Sequence, residues 1–211
     1  MKKIFGLIGI MLLITTSCVT TIPLQTNVDN QTMLLAENRN MKVNYDLVSH
    51  VADGNITYVS VLLNGTESVN NVGYKYASET AFKKIWSGYF SSKFNKHATD
   101  EINVKVTLID LMLREQAATS VGMTMLTGNS KQNVNAIATF HVLINYQGKE
   151  YENEFEVDVS DYNETQQMKA GDFYYTASHT NPTQQKSKLL ERCFNKSIID
   201  FENFLRSIII N

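Results

Sequence analysis

The segment from Asn133 to Val159, "NVNAIATFHVLINYQGKEYENEFEVDV", alternates apolar and polar residues on both sides of Gln147-Gly148. Successive side chains of a strand point to opposite faces, so alternation over this length, with Asn153 opposite Val142 as the polar intruder on the core side, describes strands with one buried and one wet face. A two-residue turn at Gln147-Gly148 fixes the pairing of a hairpin. Ile144 then faces Tyr151, Phe140 faces Phe155, Ala138 faces Val157 and Ala136 faces Val159 on the core side. Asn145 with Glu150, His141 with Glu154 and Thr139 with Glu156 fall on the other side. A slip of one residue would turn Ala136, Ala138, Phe140, Val142 and Ile144 to solvent, so this register is strongly specified.

Upstream, "INVKVTLIDLMLREQAATSVGMTML" has its apolar residues at even positions (Ile102, Val104, Val106, Leu108) and then at odd ones (Ile109, Leu111, Leu113, Val121, Met123). A change of parity within one strand is what a β-bulge produces. Three long antiparallel strands are expected, with the stretch from Thr119 to Gly128 either the end of a strand or a loop. The segment "MKVNYDLVSHV" alternates with Met41, Val43, Tyr45 and Leu47 inward, and "ADGN" followed by "ITYVSVLL" suggests a second hairpin.

Two stretches carry helical spacing instead. Phe82, Ile85, Trp86, Tyr89, Phe90 and Phe94 recur within a helix expected over 78–97. A second helix opens with Asn181 as N-cap and Pro182 in the first turn, and Leu190, Phe194, Phe201, Leu205 and Ile208 mark its buried stripe. A mainly antiparallel sheet with one wet face, covered by two amphipathic helices, makes an α+β two-layer sandwich.

The N-terminus follows a different grammar. A basic start (Met1, Lys2, Lys3), an apolar run from Ile4 to Ile14 and the small polar residues Thr15, Thr16 and Ser17 precede Cys18. The run falls short of the roughly 20 apolar residues a membrane-spanning helix needs, and the order is that of an export signal. With Ser17 immediately before it, Cys18 resembles the lipobox cysteine of bacterial lipoproteins, which receives a diacylglycerol and becomes the new N-terminus. That resemblance implies a signal peptide over 1–17, lipidation of Cys18 and attachment to a membrane through the lipid. Residues 18–40 are polar and lack sustained periodicity, and read as a flexible tether before a single domain over 41–211.

The only other cysteine is Cys193, inside the second helical stretch, where a buried, inert thiol is expected. With two cysteines the chain is no disulfide scaffold. A net charge of -2 gives none of the basic excess that nucleic-acid backbones require, so nucleic acid is not an expected partner.

The chain has no glycine-rich phosphate loop, nucleophile elbow, metalloprotease helix motif or paired-cysteine metal motif. Its four histidines, His50, His97, His141 and His179, are scattered, and no metal or cofactor is expected. Glu150, Glu152, Glu154, Glu156 and Asp158 line one side of a strand, where carboxylates fan out about 7 Å apart instead of converging on a cation. An acidic edge of this kind guards against strand-to-strand aggregation. Met168, Phe173, Tyr174, Tyr175 and His179 gather between the last strand and the last helix, which makes Phe173, Tyr174 and Tyr175 a candidate binding loop. An enzymatic alternative would draw on His179, Asp172 and Tyr174.

The order export signal, cysteine, tether, strand, helix around "AFKKIWSGYFSSKF", long strands around "INVKVTLIDLML" and "NAIATFHVLINYQGKEYENEFEV", loop and C-terminal helix "LLERCFNKSIIDFENFL" resembles YajG-type outer-membrane lipoproteins. It is also similar to the lipopolysaccharide-assembly lipoprotein LptE and to auxiliary lipoproteins of envelope lipid transport. The resemblance covers roughly 41–209 and lies in element order. It implies a shared fold and an outer-membrane, periplasm-facing compartment, and with no catalytic motif in the chain the expected role is a binding lipoprotein, an accessory in lipid, lipopolysaccharide or cell-wall traffic. A structural partner of an outer-membrane protein is the alternative.

Overall fold

The computed structural model describes residues 20–21, 28–62, 64–69, 74–117, 132–160 and 182–209. In chain order the elements are β1 (Thr20–Thr21), α1 (Asn30–Leu35), β2 (Lys42–Ser49), β3 (Thr57–Val61), β4 (Glu67–Val69), β5 (Tyr74–Lys75), α2 (Ser78–Lys93), β6 (Glu101–Ala117), β7 (Gln132–Tyr146), β8 (Lys149–Ser160) and α3 (Pro182–Ile209). Six strands form one sheet in the order β4-β3-β6-β7-β8, with β2 also paired to β6, while β1 and β5 form a separate two-stranded ribbon. The chain is an α+β sandwich, with α2 and α3 packed over the inner face of the mixed sheet.

The β7-β8 hairpin has the register its alternation predicts. Ile144 pairs with Tyr151, Phe140 with Phe155, Ala138 with Val157 and Ala136 with Val159. The turn residues Gln147 and Gly148 both have positive φ, 51° and 75°. Two left-handed central residues twist the backbone as the flanking strands require, and only the second is a glycine that adopts this without strain. Phe155 is half-buried, with its ring centroid 5.9 Å from that of Phe140. On the wet face His141 is opposite Glu154 in the ladder, but its Nε2 lies 2.6 Å from Oε1 of Glu152, the diagonal neighbour.

Strand β6 carries the bulge that its change of parity predicts. The register with β7 shifts between Leu108 and Asp110, so Ile102, Val104, Val106 and Leu108 before it and Leu111 and Leu113 after it all reach the core. The 119–128 stretch, strand or loop in the sequence, lies outside the described residues.

The expected hairpin of β2 with β3 does not form. Both strands run parallel to β6 on the same edge, end to end, β2 along 101–108 and β3 along 112–116. Residues 50–56 separate them opposite the bulge of β6, where a straight strand could not keep pairing. β3 pairs with the short β4 instead, through a turn in which Gly65 has φ 80°.

Helix α2 ends at Lys93 and Phe94 is extended. Phe82, Ile85, Trp86, Tyr89 and Phe90 are all fully buried. They meet α3 and β7 in an aromatic cluster in which Trp86 lies 5.4 Å from Phe201 and 6.3 Å from Phe140 between ring centroids. The predicted stripe of α3 is buried throughout. Under α3 the sheet presents Ala136, Ala138 and Val157, small enough for the helix to approach closely. Cys193 sits at that contact, its thiol donating to the Ala136 carbonyl at 2.9 Å. Burial pushes the thiol pKa up to about 12, which makes it inert as a nucleophile at neutral pH.

Within the 18–40 span expected as a tether, residues 28–40 hold a short helix that contacts α3. Asp29 caps α1 by accepting from the Thr32 amide at 2.6 Å, and its own amide donates to Asn195 of α3 at 3.0 Å. Thr32 and Ala36 are buried. A six-residue helix is too short to be stable alone, so these contacts with α3 hold it.

Candidate functional site

Three places in the described part of the chain gather charged and polar side chains. The first is a buried ionic cluster. Arg39 Nη2 reaches Oε2 of Glu202 at 2.6 Å, the Tyr89 hydroxyl donates to Oε1 of the same carboxylate at 2.6 Å, and Glu37 bridges Arg39 and Arg206 at 3.4 and 2.8 Å. Burial, reinforced by the negative Glu202, drives the Tyr89 phenol well above its ordinary range, so it stays a donor. The Arg39 amide also donates to the Lys93 carbonyl at 2.7 Å, which ties the entry to β2 onto the end of α2. A narrow cleft of about 170 Å³ lined by Leu35, Ala36, Ile199, Glu202, Asn203 and Arg206 lies beside this cluster.

The second place is at the other end of α3, where Lys186 Nζ approaches Glu115 at 3.1 Å and lies 5.2 Å from the centroid of the Tyr58 ring, whose hydroxyl also donates to Glu115. These are mutually satisfied groups in a nearly closed space, and they fasten α3 to β3 and β6.

The third place is open. Tyr45 belongs to the inward set of β2, but β2 is at the sheet edge. Tyr45 therefore remains 40% exposed while its ring stacks on Phe90, with centroids 4.8 Å apart and planes at 18°. Beside that stack lies a groove of about 300 Å³ lined by Lys42, Val43, Tyr45, Phe90, Ser91, Phe94 and Lys96. Val43, Tyr45 and Phe94 give it an apolar lining, and Lys42 and Lys96 are its charged members. Lys42 shares its charge with Glu101 at 3.0 Å, which holds the Glu101 carboxyl below its ordinary range. Lys96 makes no ion pair among the described residues. An apolar lining with a few charged groups suits a ligand having one greasy and one anionic part.

None of the sequence-nominated site residues is among the described residues. Cys18, the loop residues Phe173, Tyr174 and Tyr175, and the enzymatic alternative His179 and Asp172 lie outside the described residues. Glu150, Glu152, Glu154, Glu156 and Asp158 are all exposed along β8, and no three metal-ligating side chains converge among the described residues. No described helix is long and apolar enough to cross a membrane. The groove's signal in the sequence was Tyr45, an inward aromatic of β2, together with Phe90 and Phe94 at the end of the aromatic stripe.

No protein-family model matches the chain, and no curated protein matches it. Among solved structures, the chain is similar to a protein described only as uncharacterized, with a TM-score of 0.42 and 10% identity over 88% of this chain and 96% of the other. It is also similar to protein XCC0632 from Xanthomonas campestris, of the family DUF330, with a TM-score of 0.44 and 8% identity over 86% of this chain and 91% of the other.

Proposed function

We propose that this chain is a lipid-anchored protein of the bacterial envelope, attached through Cys18 to the periplasmic face of the outer membrane, that works by binding. Its role is that of an accessory in lipid, lipopolysaccharide or cell-wall traffic, in the manner of the YajG-type and LptE lipoproteins whose element order it resembles. The observation that carries the binding part is the groove between β2 and α2, where Tyr45 stays exposed while stacked on Phe90 and Lys42 and Lys96 are among the lining residues. That combination fits an anionic amphiphile, its acyl chain on the aromatic floor and its headgroup at Lys96.

The test is a titration of the non-acylated Cys18→Ser chain with a fluorescent fatty acid, with lysophosphatidylglycerol and lysophosphatidylcholine as competitors. A buried aromatic contact is worth more than 2 kcal/mol at a binding site, about thirtyfold in affinity. Tyr45→Asp is expected to weaken the probe by about that factor, and Lys96→Glu to weaken the anionic competitor while sparing the zwitterionic one. Absence of saturable binding, or equal binding by wild type and Tyr45→Asp, overturns the reading. The structural-partner alternative draws on the outer edge of β2, which has no strand partner among the described residues. Capture of an outer-membrane protein through that edge, with no lipid bound, would favour it.

A further inference from the structure

We infer that the outer face of the sheet carries a saccharide-binding hollow across β2, β6 and β7, near the β7-β8 turn. It is on the opposite side of β2 from the Tyr45 groove, and it depends neither on that groove nor on the anchor.

Alternation along β2 sends Val43 and Tyr45 inward, so Asn44 and Asp46 stand on the outer face, and both are exposed. The ladder places Asn103 beside Asn44 and Lys105 beside Asp46. Across β6 it then places Asn145 beside Asn103 and Leu143 beside Lys105. Three asparagines therefore stand in one row on three adjacent strands, about 10 Å from first to last, and the next row carries an acid, a base and a leucine. These six residues line a shallow hollow of about 270 Å³. Tyr45 and Val104 also border it, but their side chains belong to the inner face, where Tyr45 stacks on Phe90 and Val104 is buried.

The groups in the hollow have hydrogen-bonding capacity to spare. Asn44 Nδ2 donates to Asn103 Oδ1 at 3.1 Å and also to Glu101, which orients both amides. The Asn44 side-chain oxygen and the Asn103 side-chain nitrogen have no partner among the described residues. The Asn145 side chain makes no hydrogen bond, and Asp46 and Lys105, although opposite each other in the ladder, form no ion pair among the described residues.

Charge and polarity select the ligand class. An anion in the hollow would face Asp46, with Glu101 behind Asn44 and Glu150 opposite Asn145. A cation would meet Lys105, and no three metal-ligating side chains converge among the described residues. An acyl chain would find Leu143 as its one apolar side chain on this face. A neutral sugar meets none of these obstacles. Its hydroxyls both donate and accept, as the amides do, and the C–H side of a sugar ring packs on an aliphatic side chain such as Leu143.

The experiment titrates the isotope-labelled, non-acylated Cys18→Ser chain with chitotriose and, separately, with maltotriose, followed by NMR of the asparagine side-chain amides. An open hollow leaves much of the ligand in water, so saturation is expected at about millimolar concentration. The expected result is a saturable shift at Asn44, Asn103 and Asn145, with affinity at least about fivefold weaker in Asn145→Leu and in Lys105→Met. Both positions are exposed, so thermal unfolding should be unchanged; should a variant melt early, the location of the wild-type shifts decides. A response at these amides to both sugars supports recognition of ring hydroxyls, and a response to chitotriose alone adds that the N-acetyl group is read. No saturation by either sugar up to about 50 mM, shifts confined to the segments around Tyr45 and Phe90, or unchanged affinity in two folded variants overturns the inference.

Discussion

Replacing Arg39 by methionine removes one partner of the buried ion pair and leaves the other in place. Both side chains of the pair are almost fully buried, at 8% and 3% exposure, and Glu202 would keep only its hydrogen bond from Tyr89. An uncompensated carboxylate in such a site costs about 3 to 5 kcal/mol, because the attraction that offset its desolvation is gone. For a domain of this size each kcal/mol shifts the melting temperature by about 2 to 4 °C, so Arg39→Met should lower it by about 6 to 20 °C. Removing the charge as well, in Arg39→Met with Glu202→Leu, should recover a large part of the loss. The remaining cost is the Tyr89 hydroxyl, left without an acceptor at about 1 to 3 kcal/mol, and adding Tyr89→Phe should recover much of that too. Urea and thermal unfolding of the Cys18→Ser chain supply the numbers, and the double-mutant cycle should give a coupling of at least about 2 kcal/mol. Single mutants whose costs add within about 0.5 kcal/mol, or an Arg39→Met cost under about 1 kcal/mol, would refute the claim that this pair clamps residues 36–41 onto α2 and α3.

Four other outcomes follow from the fold and the loop. Gln147→Asn should raise stability by several tenths of a kcal/mol, since asparagine tolerates the positive φ that glutamine is forced into, and the urea midpoint checks it. Phe140→Ala should cost about 3 to 5 kcal/mol, and Phe155→Ala clearly less because its ring is only half-buried; equal costs in urea would contradict the packing. The Cys193 thiol, with an ordinary value near 9 and a folded value of about 12, stays protonated in the folded state while the unfolded state ionises. Stability should therefore fall between about pH 9 and 12, by up to about 1.4 kcal/mol per pH unit from this group, and Cys193→Ala should make the decline shallower without abolishing it, because Tyr89 adds its own share. If Phe173, Tyr174 and Tyr175 form a binding loop, Tyr174→Ala with Tyr175→Ala should leave the melting temperature nearly unchanged and lower recovery of crosslinked envelope partners or lipid.

What the sequence disclosed of this fold is what local periodicity can encode. The β7-β8 register was legible because alternation on both strands converges on one turn, and the β6 bulge because parity changes at Leu108 and Ile109. Both long helices were legible from their apolar stripes. The parallel pairing of β2 and β3 with β6 was not, because partners such as Lys42 and Glu101 are far apart in the chain and no turn announces them. The α1 helix was hidden by its brevity and by the exposure of Leu34 at 86%, which breaks any stripe; its only local signal was Asp29 three residues before Thr32. The groove was half legible. Alternation put Tyr45 on the inner face, and only the position of β2 at the sheet edge shows that this tyrosine stays open to a ligand.

The binding claim is tested most directly by photo-crosslinking in intact envelopes with a lipid that carries a diazirine on its acyl chain, followed by peptide mapping of the recovered protein. The account predicts adducts on the segments around Tyr45 and around Phe90 to Lys96, and their loss in Tyr45→Asp. Adducts confined to other parts of the chain, or a pattern unchanged by Tyr45→Asp, would contradict it.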